Sequence, residues 1–241
     1  MRFALVGCGR ISPNHIVAAV NNHLEIAALC DIDKAQMEDK LLKFSLDKEI
    51  PQYTDYKVML KEQAPELVAI ATESGKHAQI ALDCIEAGCN VIIEKPIALS
   101  LEDADQIIEK AKEKNVKVCA CHQNRFNKSV LKIREAIEKK RFGKLLYGTA
   151  HIRWARDYEY YARAKWRGTW EQDGGALMNQ CIHDIDLLRW MMGDEIEEVV
   201  GMTDRLKHDF IEAEDLGIAL IRFKNGSYGT VSYTHLRAHE T

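Results

Sequence analysis

The stretch ALVGCGRIS, residues 4–12, decides how the N-terminal half folds. A short apolar run ends at Gly7, a second glycine follows at Gly9, and the small residue Ser12 stands three positions further on. In a strand–turn–helix unit the first glycine allows a tight turn, and the second lets a pyrophosphate approach the backbone at the helix N-terminus. The third position requires only close packing, which Ser12 permits. The residues expected to contact a dinucleotide belong to this turn: Gly7, Gly9, Arg10 and Ile11.

An acidic residue after the next strand supports this interpretation. The run Glu25–Cys30 has the character of a buried strand, and Asp31 follows it, 22 residues beyond Gly9. A carboxylate at this point accepts hydrogen bonds from the adenosine ribose hydroxyls and repels a 2′-phosphate, so NAD is predicted rather than NADP. Asp33 could share that role, or it could cap the helix that begins at Lys34.

Strands and helices alternate through the first half of the chain. The predicted strands are Phe3–Val6, Glu25–Cys30, Leu67–Ala71, Val91–Ile93 and Val116–Ala120. The predicted helices between them are Pro13–Asn21, Lys34–Phe44, His77–Ala87 and Leu101–Lys114. Such alternation produces βαβ units. We therefore expect an α/β fold in which residues 1–122 form a Rossmann-type parallel-sheet domain that binds NAD.

The pattern changes after His122. Helices are predicted at Val130–Lys140 and Ala176–Met192, and strands at Leu145–Trp154, Ala219–Phe223 and Ser227–Val231. The sequence FKNGSYG, residues 223–229, is a hairpin signal between the last two strands. Residues 123–231 are therefore predicted to form an α+β domain with an open, mostly antiparallel sheet, which serves substrate binding and oligomerisation.

The last ten residues, SYTHLRAHET, show no clear periodicity and look like a translated adapter. We expect residues 232–241 to be a non-native tail and the α+β domain to be incomplete. A sheet left with a bare edge is prone to aggregation, so the chain is expected to bind NAD but to be poorly active or insoluble.

Composition limits the partners. Hydrophobic residues make up 46% of the chain and charged residues 29%, a balance typical of soluble globular proteins. The net charge of −4 argues against nucleic acid as a partner. No apolar run approaches the ~20 residues that cross a bilayer, and the N-terminus enters a strand directly, without a signal peptide. We expect a cytoplasmic protein with no membrane or nucleic-acid partner.

The cysteines indicate a reducing compartment. There are seven, an odd number, and they lie mostly in apolar segments. Free thiols packed in a core are therefore expected, rather than a disulfide framework. Cys119 and Cys121 are too close in sequence for a zinc knuckle, and no second pair completes one. No metal site is predicted.

Four further segments carry a resemblance to a known family. They are ATESGKH (71–77), EKP (94–96), QNRF (123–126) and GGALMNQCIHDIDLLRW (174–190). Together they resemble the glucose-fructose oxidoreductase / inositol dehydrogenase / MocA (Gfo/Idh/MocA) family, over essentially all of residues 1–231. The resemblance implies NAD-dependent oxidation of a sugar secondary hydroxyl to a ketone, and a homodimer or homotetramer when full length.

Within that family, YYARAKWRG and RGTWEQDGGALMNQCIHDIDLL are most similar to enzymes of surface-polysaccharide biosynthesis. Those enzymes oxidise C3 of the nucleotide sugar UDP-N-acetyl-glucosaminuronate. The alternatives are a dehydrogenase of another sugar or of inositol, and a regulator that binds NAD without catalysis. The presence of both Lys95 and His183 argues against the regulator.

Oxidation of an alcohol needs a group that takes the hydroxyl proton. Lys95 follows a predicted strand, where open α/β sheets bind ligands, and can stabilise a developing alkoxide. His183 lies one helical turn after Asn179, and Asp186 could orient its imidazole. We assign His183 as general base and Lys95 as electrostatic partner, with exchangeable roles. Asn179, where many relatives have aspartate, is expected to position the substrate.

The remaining candidates surround these residues. Thr72, His77, Glu94 and Gln123 are expected to contact the cofactor. Glu94 could instead pair with Lys95, and His77 could have a structural role at a helix start. Pro96 is expected to separate Glu94 from Lys95 through a cis peptide bond.

The basic and aromatic stretch 154–170 could bind a diphosphate and a stacked uracil, or could pack against another subunit. Arg163 and Arg167 are the candidates for the phosphates or the uronate carboxylate. Arg125 could bind either cofactor or substrate.

Overall fold

A computed structural model describes residues 1–193 and 195–234 of the 241-residue chain. It divides into two compact units, the first ending at Cys121 and the second beginning at His122. This division lies one residue before the predicted domain boundary.

The first unit is built on a six-stranded parallel sheet with strand order β3-β2-β1-β4-β5-β6. Its strands are β1 (Arg2–Val6), β2 (Glu25–Cys30), β3 (Gln52–Tyr53), β4 (Leu67–Ile70), β5 (Asn90–Ile93) and β6 (Val118–Ala120). The predicted Rossmann-type sheet is confirmed. The sequence did not predict β3, because two residues are too few to show a periodicity.

Five helices accompany this sheet: α1 (Ser12–Asn21), α2 (Lys34–Lys43), α3 (Tyr56–Gln63), α4 (His77–Glu86) and α5 (Leu101–Lys114). A 3₁₀ turn at Ser74–Lys76 precedes α4. The Asp33 side chain accepts a hydrogen bond from the Ala35 N–H, so it caps α2, one of its two predicted roles. Ser100 caps α5 in the same way through the Asp103 N–H. The sequence analysis missed α3.

Both faces of the sheet are buried, as parallel sheets require. Successive residues of β1 enter opposite cores: Ala4 and Val6 pack in one cluster, and Phe3 and Leu5 in the other. The sheet order reverses beside β1, between the connections to β2 and β4. The loops that follow β1, β4 and β5 therefore meet at one edge, where open α/β sheets bind ligands.

The second unit contains a four-stranded sheet with strand order β7-β10-β9-β8. Its strands are β7 (Tyr147–Arg153), β8 (Ile196–Asp204), β9 (Leu216–Phe223) and β10 (Tyr228–Thr234). The pairs β8–β9 and β9–β10 are antiparallel, and β7–β10 is parallel. Its helices are α6 (Lys128–Glu138), α7 (Tyr158–Ala162), α8 (Gly175–Asn179) and α9 (Ile182–Met192), with a 3₁₀ turn at Gln123–Phe126. The predicted α+β class and the β9–β10 hairpin are confirmed.

The single helix predicted over Ala176–Met192 is wrong, because the segment forms α8 and α9. The Ala176 carbonyl accepts hydrogen bonds from the N–H groups of both Gln180, at 2.8 Å, and Cys181, at 3.1 Å. This shared acceptor widens the turn between the helices. Asn179 and His183 are therefore not related by the spacing of one continuous helix.

Strand β8 was also missed. Its residues are almost all exposed, and Val199 and Val200 are adjacent, so no alternation marks a buried face. In the interior of the sheet, between β7 and β9, β10 continues to Thr234 and fully buries Tyr233. The first three residues of the predicted tail thus belong to a strand. Residues 235–241, the rest of that tail, lie outside the described residues.

All seven cysteines lie in the described part of the chain and are free thiols. Five are buried, Cys119 is exposed and Cys121 is half-buried. Burial raises the pKa of Cys8 and Cys30 to about 12, so these thiols stay protonated and pack as small apolar groups. Within the described residues, no helix is both long and apolar enough to span a membrane.

Candidate active site

Gly7 lies where β1 turns toward α1, with a φ of 92°. A Cβ atom at this position would lie 2.6 Å from the carbonyl carbon of Ala71 and 2.8 Å from the backbone nitrogen of Thr72. Backbone atoms cannot move aside as the end of a flexible side chain can. Gly7 is therefore required both by its conformation and by the close approach of the loop after β4.

Gly9 differs, because no described atom lies within 4 Å of the place where its Cβ would be. Packing within the protein thus does not require glycine here, and the open space suits the approach of a pyrophosphate. The Ser12 hydroxyl donates to the Gly9 carbonyl at 2.7 Å and fixes the turn. Ile11 is the N-cap residue of α1, and within the described residues no side chain caps this helix end. An uncapped helix N-terminus suits the binding of an anion. The turn fits a dinucleotide.

Asp31 braces the same turn. One carboxylate oxygen accepts the Cys8 N–H at 2.7 Å, and the other accepts the Asp33 N–H at 2.9 Å. Each carboxylate oxygen can accept more than one hydrogen bond, so these two contacts leave capacity for ribose hydroxyls. The residue predicted to bind the adenosine ribose therefore also supports the glycine turn.

Glu94 follows β5 and pairs with His15, a residue that the sequence analysis missed. Its Oε1 lies 2.9 Å from His15 Nε2, and both side chains are largely buried. Burial would raise the pKa of Glu94, but the hydrogen bond and charge of His15, together with the backbone N–H and charge of Lys95, lower it. The only sequence signal for His15 is its place in the first turn of α1.

The thiol of Cys121 belongs to the same group. Its sulfur, a His15 nitrogen and a Glu94 oxygen all lie within 4.8 Å of one another. These are metal-binding residue types, but burial and the neighbouring Glu94 raise the pKa of Cys121 to about 12. His15 and Glu94 are paired with each other at 2.9 Å, so two of the three groups already have a partner within the described residues.

His77 links two loops of the site. Its Nδ1 lies 2.7 Å from the Pro96 carbonyl oxygen and its Nε2 3.2 Å from that of Thr72. The side chain is 1% exposed, and burial lowers its pKa although both carbonyls oppose this. A neutral imidazole has one N–H to donate, and the shorter distance makes Pro96 its acceptor. The contacts match the structural role that the sequence left open.

Lys95 stands between Glu94 and Pro96 at the carboxyl end of β5, half-buried. Its backbone N–H lies 3.4 Å from Glu94 Oε2. The Lys95–Pro96 peptide bond is cis, as predicted. The structure therefore brings the loops containing Gly7, Thr72, His77 and Lys95 to one edge of the first unit's sheet.

In the second unit, His183 lies in the first turn of α9 and is half-buried. Gln123 Nε2 lies 3.4 Å from His183 Nε2, and the ring of His122 meets the His183 ring edge-on, with centroids 6.1 Å apart. Gln123, predicted to contact the cofactor, is thus a neighbour of the candidate base.

Asp186, one turn further along α9, binds Arg125. The Arg125 Nε and a terminal guanidinium nitrogen donate to the two carboxylate oxygens at 2.7 and 2.5 Å. His122 Nδ1 lies 3.6 Å from the same carboxylate, and Arg125 also lies over the Trp190 ring, 5.0 Å from its centroid. The bidentate pair fastens the 3₁₀ turn to α9.

The arginines of the basic and aromatic stretch, residues 154–170, differ from one another in exposure and in the groups that they contact. Arg163 has a side chain that is 74% exposed, and its nearest described acid is Glu159 at 3.9 Å. Arg167 donates to the Tyr160 carbonyl and lies over the Tyr160 ring at 4.2 Å. Arg156, which was not among the predicted site residues, lies 3.9 Å from the Trp154 ring centroid and donates to Gln180 Oε1.

Comparison with known proteins identifies the family. A family model described as the oxidoreductase family, NAD-binding Rossmann fold, matches residues 1–122. A second, described as the GFO/IDH/MocA C-terminal domain, matches residues 130–241.

The WlbA dehydrogenase from Bordetella pertussis, solved with NADH and UDP-GlcNAcA, is 36% identical with a TM-score of 0.91. That match covers 98% of this chain and 71% of the other. The WlbA protein from Chromobacterium violaceum, solved with the same two molecules, is 35% identical with a TM-score of 0.92, over 99% of this chain and 68% of the other.

Among curated proteins, the myo-inositol 2-dehydrogenase of Thermotoga maritima is 26% identical over 238 residues, which span 96% of this chain and 67% of that protein. The two family matches cover both units, and the glycine turn fits the cofactor. The chain therefore belongs to the Gfo/Idh/MocA family and is an NAD-dependent oxidoreductase of the sugar and inositol dehydrogenase type.

Proposed function

We propose that the protein oxidises the C3 hydroxyl of UDP-N-acetyl-glucosaminuronate (UDP-GlcNAcA) to a ketone. The observation that carries this proposal is the 36% identity, over 98% of the chain, to a dehydrogenase solved with NADH and UDP-GlcNAcA. The inositol dehydrogenase comparison is lower, at 26% identity. The nucleotide-sugar assignment is therefore favoured over inositol.

In this proposal Gly7, Gly9 and Asp31 would hold NAD, which would supply the acceptor for the hydride that leaves C3. His183 takes the hydroxyl proton as general base, and the Lys95 ammonium stabilises the developing alkoxide; the two roles are exchangeable. Glu94 bears its charge beside His15, and its lowered pKa keeps it an acceptor for the nicotinamide ribose hydroxyls.

The basic and aromatic stretch suits the other end of such a substrate. Arg167 is planar and always charged, and it pairs well with phosphate or carboxylate oxygens while lying on the Tyr160 ring. Arg163 has a largely exposed side chain whose ion pair with the exposed Glu159 is long, at 3.9 Å, so it can be exchanged for a substrate anion. We propose that Arg163 and Arg167 bind the diphosphate or the uronate carboxylate.

The test is to offer the purified chain NAD with UDP-GlcNAcA, UDP-N-acetylglucosamine or myo-inositol, and to follow NADH absorbance. Binding of each compound is measured in parallel by calorimetry. We expect NADH only with the nucleotide sugars, and at least about tenfold tighter binding of the uronate, because its carboxylate adds a charge-assisted contact. NADH formation with myo-inositol and no binding of UDP-GlcNAcA would refute the proposal in favour of the inositol alternative.

A further inference from the structure

The turn before α8 contains a buried carboxylate, that of Asp173, which is 3% exposed. Its Oδ2 accepts the Gly168 N–H at 2.8 Å, and its Oδ1 accepts a hydrogen bond from the side-chain amide nitrogen of Asn179. The backbone around it is also tied down, since the N–H groups of Asp173 and Gly174 both donate to the Thr169 carbonyl. Asp173 is thus held in place independently of Asn179.

This contact determines which way the Asn179 amide points. An amide has a donor end, Nδ2, and an acceptor end, Oδ1, and the Asp173 oxygen that it meets is the acceptor of this contact. If the amide were turned over, two acceptor oxygens would face each other. The donor end of Asn179 therefore faces Asp173, and the acceptor end is turned away from it.

The geometry points to a role for Asp173 that rests on the proposed function. We infer that Asp173 is a positioning residue, which makes Asn179 present its amide oxygen to a hydroxyl group of the substrate. A hydroxyl can donate to that oxygen, whereas a carbonyl or carboxylate cannot. Asn179 then offers the substrate a hydrogen-bond acceptor, as an aspartate would. Unlike an aspartate, it adds no negative charge next to Asp173.

The backbone on the other side of this turn leaves little room for adjustment. Gly175 has a φ of 88°, and a Cβ there would overlap the carboxylate of Glu214. Glu214 in turn accepts the Leu177 N–H at 2.8 Å. Because α8 is held in this way, the amide of Asn179 can respond to a change at position 173 mainly by rotating.

Two isosteric substitutions and their combination separate the alternatives. In Asp173→Asn, the new amide accepts the Gly168 N–H with its oxygen and turns its nitrogen toward Asn179. Asn179 must then turn over and present N–H groups to the substrate hydroxyl. In Asn179→Asp, two carboxylates face each other. The double variant Asp173→Asn/Asn179→Asp restores one donor and one acceptor at the contact, with an acceptor again toward the substrate.

A measurement without substrate tests the contact itself. The side-chain amide signals of Asn179 are assigned by their loss in Asn179→Asp, in a ¹⁵N–¹H spectrum of the whole chain. We expect one amide proton of Asn179 to be shifted downfield by the carboxylate, and the shift to disappear in Asp173→Asn. Unchanged Asn179 signals in Asp173→Asn would overturn the inference, whatever the substrate is.

Kinetics test the consequence, with whichever of the three compounds is turned over. We expect KM to rise at least about tenfold in Asp173→Asn, which loses one hydrogen bond to the substrate hydroxyl and turns a donor toward it, and to recover in the double variant. In Asn179→Asp an acceptor still faces the substrate, so KM should rise less than in Asp173→Asn. NADH affinity and the unfolding midpoint serve as controls and should be retained in the double variant. An equal rise of KM in Asp173→Asn and in the double variant would overturn the inference. Failure of wild type to bind UDP-GlcNAcA would refute the proposed function alone.

Discussion

The two units hold their candidate residues by different means. In residues 1–121 the cofactor turn is fixed by the backbone: Gly7 touches the loop after β4, and Asp31 binds two backbone N–H groups. In the second unit the candidates are fixed by side chains, with Asp186 bound to Arg125 and Asn179 bound to Asp173. Backbone requirements leave a sequence signature, whereas side-chain networks do so only weakly.

The largest expected effect concerns the two residues proposed for catalysis, Lys95 in the first unit and His183 in the second. Lys95→Ala and His183→Ala should each lower kcat by about 10²–10⁴-fold, because each removes a group proposed to act on the reacting hydroxyl. NADH binding, measured by fluorescence titration, should change little in His183→Ala. If either variant turns over at the wild-type rate, its proposed role is wrong.

Within the first unit, Gly7→Ala should be the most damaging change. The new methyl group would meet the backbone of Ala71 and Thr72 at a φ of 92°, so the unfolding free energy should fall by about 3 kcal/mol or more. Urea unfolding measures this. A loss below about 1 kcal/mol would show that the loop after β4 moves easily.

Gly9→Ala is the matched control, because the protein has open space at this position. Its unfolding free energy should stay within about 0.5 kcal/mol of wild type. NADH affinity should nevertheless fall at least about tenfold, because the methyl group occupies the space needed by the pyrophosphate. Unchanged NADH affinity would place the pyrophosphate elsewhere.

In the second unit, Arg125→Ala tests the side-chain network. Removing the guanidinium leaves the largely buried Asp186 carboxylate without its bidentate partner, so the unfolding free energy should fall by about 1–3 kcal/mol. Arg134→Ala is the control, since Arg134 also lies over Trp190, at 4.9 Å, and donates to its carbonyl, but the acid that it pairs with is the exposed Glu138. Tenfold weaker NADH binding at unchanged stability would instead support a contact of Arg125 with the cofactor, one of the two roles that the sequence left open.

The smallest effect concerns His77 and pH. Burial holds its pKa below the ordinary value of about 6.5, so the unfolded chain binds more protons than the folded chain just below that pH. Its contribution to stability is present above pH ~6.5 and is lost as pH falls, with a slope of up to ~1.4 kcal/mol per pH unit. His77→Asn should flatten this slope in denaturant unfolding from pH 7 to 5. Equal slopes in wild type and His77→Asn would contradict the assignment.

The sequence predicted most of the first unit because its determinants are local. The glycine turn, the acid after β2, the cap at Ser100 and the cis bond before Pro96 each depend on a short stretch of chain. His15 was missed because its partner, Glu94, is 79 residues away in sequence.

In the second unit, the helix break after Asn179 and the exposed strand β8 carry no periodic signal. The pairing of Arg125 with Asp186 joins residues 61 positions apart. These features depend on which side chains tertiary packing brings together, and one sequence does not encode that as a pattern.

In the proposed reaction, hydride leaves C3 of a nucleotide sugar and is delivered to NAD. This transfer can be followed with UDP-GlcNAcA carrying deuterium at C3, by mass spectrometry of the NADH formed. We expect NADH heavier by one deuterium, together with a 3-keto product. NADH without deuterium, or no NADH from a sample that binds NAD, would contradict the proposed reaction.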